Sequence, residues 1–478
     1  MKSLALFLIT LAVLAATAVT PVSAAEVTLR TLAAARNLRI GAAAHDSGLA
    51  SDPGYRDKLR YEFSSVTPET AMKWVNLEPE PGVHTWEKAD AVVAFAQQNN
   101  QMVRGHTLVW HGALPTWISN GSLTDQELRA ALQRHVETTV KRYAGRVAVW
   151  DVVNEALAED GTLKQTIWLK RLGPGYIADA FRWARAADPA AKLYINDYNA
   201  EWSNPKRAGL YNLVRDLRAQ GVPIDGVGFQ THSLIKDPTP ETIPPTQLKS
   251  TLELFAGLGV DVAVTELDVR LKMPVDEGKL AAQAETYRRV TAACVAVSRC
   301  VSLTVWSLTD RYSWVPSVVP GWGAAHPLDA NLAKKPAYAQ MRAVLADRDF
   351  TSAAVAGHSG KCLTAQLTQA TCSGGADQRL LFRRVAPNKV YQIADSAGGQ
   401  CLTIGTGTTL VRHACAADSA DQRFELRPLS PQRHQLVSVR TYKCVAVKDG
   451  STAAGATIEQ TPCSAAPAWH LPDAPGHL

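Results

Sequence analysis

Several features are scarce in this 478-residue sequence, and each scarcity removes a class of function. No Lys/Arg block stands out: 50 basic residues face 44 acidic ones, both signs are interspersed, and the formal charge is only +6. Phosphate backbones need a concentrated basic face, so nucleic acid is not expected as a partner. Beyond residue 24 no run is apolar enough to cross a bilayer. No glycine-rich phosphate loop follows the first strand-like run, which argues against an open dinucleotide-binding sheet. His106 and His111 lie five apart in one strand-like segment and point to opposite faces, which argues against a metal pair. Neither a metal nor another cofactor is expected. Cysteine is nearly missing until the last quarter. Before it come only Cys294 and Cys300; within it lie Cys362, Cys372, Cys401, Cys415, Cys444 and Cys463.

What is present begins at the N-terminus. Lys2 precedes an apolar stretch from Leu4 to Val19, and Val22-Ser23-Ala24 supplies small residues for cleavage. Residues 1–24 thus have the layout of a secretory signal peptide, short for a span and without a charged stop on the far side. The mature protein is expected to be secreted and extracellular, without a membrane attachment. In an exported chain, eight cysteines read as disulfides. Their sudden density marks a second domain, which the length already suggests.

Between residues 26 and 347, β-type runs at 38–43, 63–67, 102–110, 147–155, 192–197, 226–232, 260–267 and 302–307 alternate with helical stretches such as 124–143 and 205–220. Eight strand–helix units predict an α/β fold, a (β/α)8 TIM barrel. The runs end in polar and aromatic residues: His106 and Trp110, Asn154-Glu155, Asn196-Asp197, Gln230-Thr231-His232, Glu266-Leu267-Asp268 and Trp306. A (β/α)8 enzyme builds its site at that end.

Glu155 and Glu266 end the fourth and seventh runs, and the barrel would bring them together. Hydrolysing an acetal needs one carboxyl kept protonated and a second kept ionised. Asn154 is a neutral donor beside Glu155. Asp268 falls on the same side of its strand as Glu266, and His232 is a natural bridge between them that would hold Glu266 ionised. Taken singly, each glutamate reads equally well as a structural ion-pair residue. Together on those two strands they predict catalysis.

The peptides Arg104-Gly105-His106-Thr107-Leu108-Val109-Trp110-His111, residues 150–156, Asn196-Asp197-Tyr198-Asn199, Gly228-Phe229-Gln230-Thr231-His232 and Thr265-Glu266-Leu267-Asp268 carry a specific likeness. Over about residues 30–347 the chain resembles glycoside hydrolase family 10, the retaining endo-β-1,4-xylanases. The resemblance implies Glu155 as acid/base, Glu266 as nucleophile and Asp268 as its support. Asn154 would bind the 2-hydroxyl beside the cleaved bond. Glu69, Lys73, His106, Gln230 and His232 would bind further substrate groups, and Trp110, Trp306 and Trp314 would wall the cleft. Trp168 and Trp183 are expected in the core instead. One departure stands out. The family's Glu-Asn-x-Met-Lys reads Glu69-Thr70-Ala71-Met72-Lys73, so an amide that touches sugar is lost and one subsite is weakened or changed. The implied partner is plant cell-wall xylan, acted on by a monomer. The alternatives are a family member acting on another plant β-glycoside, such as the glycoalkaloids of tomatinases, and a lectin-like binding protein with an idle barrel.

A short linker is expected at 348–356, and a small all-β trefoil over 357–475. Lys361-Cys362-Leu363-Thr364, Gln400-Cys401-Leu402-Thr403 and Lys443-Cys444-Val445-Ala446 recur, and Asp377-Gln378-Arg379 returns as Asp421-Gln422-Arg423. Three copies of a roughly 40-residue unit suggest a threefold structure closed on itself. Bonds Cys362–Cys372, Cys401–Cys415 and Cys444–Cys463 would lie within copies, although spacing alone leaves connectivity open. The region resembles a ricin-type β-trefoil, carbohydrate-binding module family 13. The aspartate that such repeats place two residues after the first cysteine is replaced by Thr364, Thr403 and Ala446. The Gln-x-Trp signature is also eroded, and the first two copies are short between their cysteines. Two readings follow, a polysaccharide anchor and a stapled scaffold that has lost most sugar sites; the second is expected, with the third copy, around Asp449, the one to test.

Overall fold

The structure, a computed structural model, describes residues 27–474 apart from 238–244, 387–388, 417 and 431. The expected signal segment, 1–24, lies outside the described residues. Eight parallel strands close into a barrel: β1 (Arg39–Ala44), β2 (Ser65–Pro68), β3 (Met102–Val109), β4 (Val149–Asn154), β5 (Lys192–Asp197), β6 (Gly226–Phe229), β7 (Asp261–Lys272) and β8 (Cys300–Val305). Each pairs with the next, and β8 returns to β1 with Arg39 opposite Ser302. Helices cover the outer face, so strands such as β4 are buried at every position, Asp151 and Asn154 included. Gly105 lets β3 pass close to β4, since a Cβ there would sit 2.2 Å from the Trp150 ring.

Local signals set the helices. Asp125–Arg142 starts from Thr124, whose hydroxyl and the Glu127 carboxylate form a reciprocal capping box. Pro205–Ala219 starts with proline after a capping Asn204. Two expected strands differ from those observed. The run 226–232 stops as a strand at Phe229, because the backbone turns through Thr231 at φ 56°; His232–Ile235 is a separate short strand beside β7. The run 260–267 continues to Lys272, where its end pairs with Trp322–Gly323.

A separate, antiparallel all-β region follows, packed around Phe382, Tyr391, Phe424, Leu436 and Trp469. The linker expected at 348–356 is largely sheet. Phe350–Ser352 pairs with Leu380–Ala386, and Val355–Ala356 pairs with Cys362–Leu363 and Trp469–His470. Phe350, Ala354 and Ala356 are buried there, and that apolar pattern draws the stretch into the core. Three disulfides staple the copies, Cys362–Cys372, Cys401–Cys415 and Cys444–Cys463, with 10, 14 and 19 residues of separation. A fourth, Cys294–Cys300, ties the helix Glu277–Val295 to β8. The repeated glutamines are structural. Gln378 accepts from the Ser373 N–H (2.8 Å) and donates to the Thr371 carbonyl (2.9 Å). Gln422 likewise accepts from the Ala416 N–H (2.8 Å) and donates to the Ala414 carbonyl (2.9 Å).

Candidate active site

Glu155 is the first residue past β4. Its backbone is left-handed (φ 56°), and its N–H donates to the Asn196 carbonyl at 2.8 Å. A non-glycine residue in that region costs about 1–2 kcal/mol, a strain that clusters at functional positions. The Glu155 carboxylate is partly open to solvent. Asn154 Nδ2 and Gln230 Nε2 each lie 3.4 Å from Oε1, and the Lys164 ammonium lies 3.7 Å from Oε2.

Glu266 sits inside β7 and is buried. Its Oε1 accepts from Asn196 Nδ2 at 2.7 Å. The Asn196 amide has one workable orientation, because the Thr265 hydroxyl donates to its Oδ1 (2.7 Å) while Nδ2 also reaches Asn154 Oδ1 (2.9 Å). Gly228 makes room for that amide; a Cβ there would lie 2.3 Å from Asn196 Oδ1. Glu266 Oε2 faces His232 Nε2 at 3.3 Å, and His232 Nδ1 lies 3.0 Å from Asp268 Oδ2. The bridge expected of His232 is therefore present.

Charge follows from this packing. Burial works against a charged His232, but Asp268 and then Glu266 outweigh it and push the imidazole up to about 10. Burial would raise Asp268; His232 overcomes that and, with the Trp314 indole donating at 2.8 Å, holds it below the usual carboxylate range. An imidazolium thus lies between two carboxylates at neutral pH. Under β3, His106 Nδ1 meets the buried Asp151 at 3.0 Å, and Arg104 Nε reaches the same oxygen at 3.0 Å. His106 also stands edge-on to Trp306, with ring centres 5.1 Å apart. Glu69 follows β2; burial pushes it up to about 7, although Lys73 opposes the rise. The Lys73 ammonium lies 5.1 Å from the Trp110 ring centre.

With this geometry in hand, comparison with known proteins is decisive. Residues 28–344 match Glycosyl hydrolase family 10. The chain belongs to glycosyl hydrolase family 10. Among its family 10 relatives, an endo-1,4-β-xylanase of Agaricus bisporus is 46% identical over 312 residues, 65% of this chain and 92% of that protein. Endo-1,4-β-xylanase B of Thermotoga neapolitana is 40% identical over 326 residues, 68% of this chain and 93% of that one. The crystal structure of xylanase 10B from Thermotoga petrophila RKU-1 in complex with xylobiose superposes with a TM-score of 0.65 at 40% identity, covering 68% of this chain and 98% of that one. Residues 376–461 match a ricin-type β-trefoil lectin domain-like family.

Within the family 10 barrel, Asn154, Glu155 and Gln230 form one set of contacts and His232, Glu266, Asp268 and Trp314 another, and Asn196 joins the two into one network. Sequence reasoning missed three members of its surroundings. Asn196, which joins Asn154 to Glu266, was visible only as a polar strand end. Lys164 approaches Glu155 from the loop after β4. Lys206 is fully buried on a helix, 3.0 Å from Asp197 and 3.2 Å from the centre of the Tyr198 ring. No periodicity marks such a lysine as internal. Trp168 is buried as expected, while Trp183 is half-buried against the core. In the C-terminal region Thr364, Thr403 and Ala446 are buried, whereas Asp449 is exposed with φ 52°.

Proposed function

We propose that this family 10 protein is an exported, retaining endo-β-1,4-xylanase with Glu155 as acid/base and Glu266 as nucleophile. The unequal setting of two carboxyls in one network carries the reading. Glu266 is buried, but its Oε1 accepts an amide hydrogen and its Oε2 faces an imidazolium, and these two contacts stabilise negative charge there against the opposing effect of burial. Glu155 is more open, with only long amide contacts on Oε1. In the first step a Glu266 oxygen bonds the anomeric carbon as the glycosidic C–O bond breaks, and the leaving oxygen takes the proton of Glu155. In the second, Glu155 takes a proton from water, the water oxygen bonds the anomeric carbon, and the bond to Glu266 breaks. Asn154 and Gln230 are placed to bond hydroxyls beside the reacting carbon. Glu69, Lys73 and His106 would serve others, and Trp110, Trp306 and Trp314 offer faces to sugar rings.

Xylan is favoured by the relatives, which are endo-1,4-β-xylanases, and by the xylobiose bound to the Thermotoga petrophila protein. Export is favoured by four disulfides, which persist in oxidising compartments. Another plant β-glycoside is the second reading, on one observation: the Thr70 hydroxyl donates to Asp46 at 2.9 Å and is already committed. Reducing-sugar release from xylan, mannan, cellulose and plant glycosides tests both. The expected result is xylan first, with Glu266→Gln slower by about a thousandfold or more. Equal activity in wild type and variant would sink the role assignment, and a plant glycoside cleaved ahead of xylan would change the substrate.

A further inference from the structure

The ends of β1 and β2 carry a group of polar atoms whose bonding is incomplete. Glu69 is 6% exposed, yet its Oε2 has no hydrogen-bond partner. Asp46 Oδ1 and His45 Nδ1 are also buried and unpartnered. Buried polar atoms are nearly always bonded, so three open ones together mark a place prepared for something that bonds them. The Glu69 N–H donates to the Ala44 carbonyl at 3.1 Å where β1 and β2 end side by side, which sets the group at the same mouth of the barrel as Glu155 and Glu266.

Asp46 is held in place. The Thr70 hydroxyl donates to its Oδ2 at 2.9 Å, and the Lys88 ammonium lies 3.7 Å from the same oxygen. Both contacts restrain one oxygen and leave Oδ1 open. His45 is fixed by stacking on Tyr312, with ring centres 5.1 Å apart. Oδ2 already accepts from the Thr70 hydroxyl, and a partner that brings a hydrogen would complete the open Oδ1. The Lys88 ammonium already stands beside Asp46, so a cationic ligand is not called for. Hydroxyls of a neutral sugar meet both conditions.

We propose that Asp46, oriented by the Thr70 hydroxyl, binds a hydroxyl of the neutral pyranose one ring beyond the reacting bond and so selects which sugar the cleft accepts there. The assignment rests on Glu266 being the reacting group. A ring whose hydroxyl is etherified or esterified at that point leaves Asp46 unmet and is disfavoured.

Aryl β-glycosides with one and with two sugar rings separate this role from a structural one. They are taken from whichever sugar series the wild type cleaves fastest. Asp46→Ala and Thr70→Val are expected to lower kcat/KM about tenfold on the two-ring substrate, mainly through KM, and to leave the one-ring substrate unchanged. Thr70→Ser, which keeps the hydroxyl, should behave like wild type. Equal losses on both substrates, or none on the two-ring one, would overturn the proposal. If Asp46→Ala misfolds, the Thr70→Val and Thr70→Ser pair decides alone. A wild type that prefers a series other than xylose refutes the xylan reading and leaves this test standing. One that cleaves no β-glycoside overturns both.

Discussion

The two halves of this chain spend their polar side chains in opposite ways. In the barrel, side chains at the strand ends bond one another and leave faces open: Asn196 holds Glu266, His232 spans Glu266 and Asp268, and Glu155 keeps an exposed edge. In the trefoil, the repeated glutamines are consumed in bonds to their own backbone. Thr364, Thr403 and Ala446, each two residues after the first cysteine of its copy, are buried. A polar residue repeated in a sequence therefore does not by itself mean a site; what matters is whether its bonding capacity is used up inside the fold. The barrel should lose chemistry when its polar groups are removed, and the trefoil should lose stability.

The largest effect should come from the proposed acid. Glu155→Ala removes proton donation to the leaving group and is expected to lower xylan turnover by about 10²–10⁴-fold. Aryl glycosides with good leaving groups need no such proton in the first step and should be hurt much less. Steady-state kinetics on both substrates read the split. Equal losses would break the assignment of acid and nucleophile, and with it the contrast between the two regions.

Much of that contrast was readable in the sequence. Strand ends of a closed barrel must gather, so Glu155, Glu266, His232 and Asp268 could be placed from periodicity alone. The partners of each group could not. Asn196 reaches Glu266 only because neighbouring strands align in a particular register, and Lys206 is internal only because its helix packs over Asp197. The trefoil glutamines looked like worn binding signatures, since a sequence does not reveal that Gln422 faces Ala414 and Ala416. The tie between Thr70 and Asp46 links two strand ends and was equally hidden.

His232 tests whether the contrast is complete, because it belongs to the proposed site and also holds two buried carboxylates. Its pKa is raised from 6.5 to about 10 in the fold. The native state therefore binds this proton more tightly than the unfolded chain. The resulting stability is full below pH 6.5 and is lost as pH rises through about 10. The difference in Tm between wild type and His232→Gln should be widest near pH 6 and narrow towards pH 10. A constant difference would show that His232 contributes by packing, not charge.

In the trefoil, Gln422→Ala strips partners from the Ala416 N–H and the Ala414 carbonyl, which should cost about 1–3 kcal/mol. Denaturant unfolding followed by proteolysis of the C-terminal region should shift to lower denaturant, while specific activity on soluble xylan stays at the wild-type value. A parallel fall in activity would mean that the two regions are energetically one unit.

The smallest effect is expected at Asp449, the one place where the trefoil could still behave like the barrel. It is exposed and lies in the longest of the three stapled loops, closed by Cys444–Cys463 with a separation of 19. A carboxylate alone reads a sugar poorly; recognition needs an apolar face for the ring and paired donors and acceptors around it. Ala446, at the position where related repeats keep an acid, cannot supply the second acceptor. Asp449→Ala in the full chain should therefore leave retention on insoluble xylan unchanged. A tenfold weaker retention would restore the third copy as a sugar site and confine the structural role to the first two.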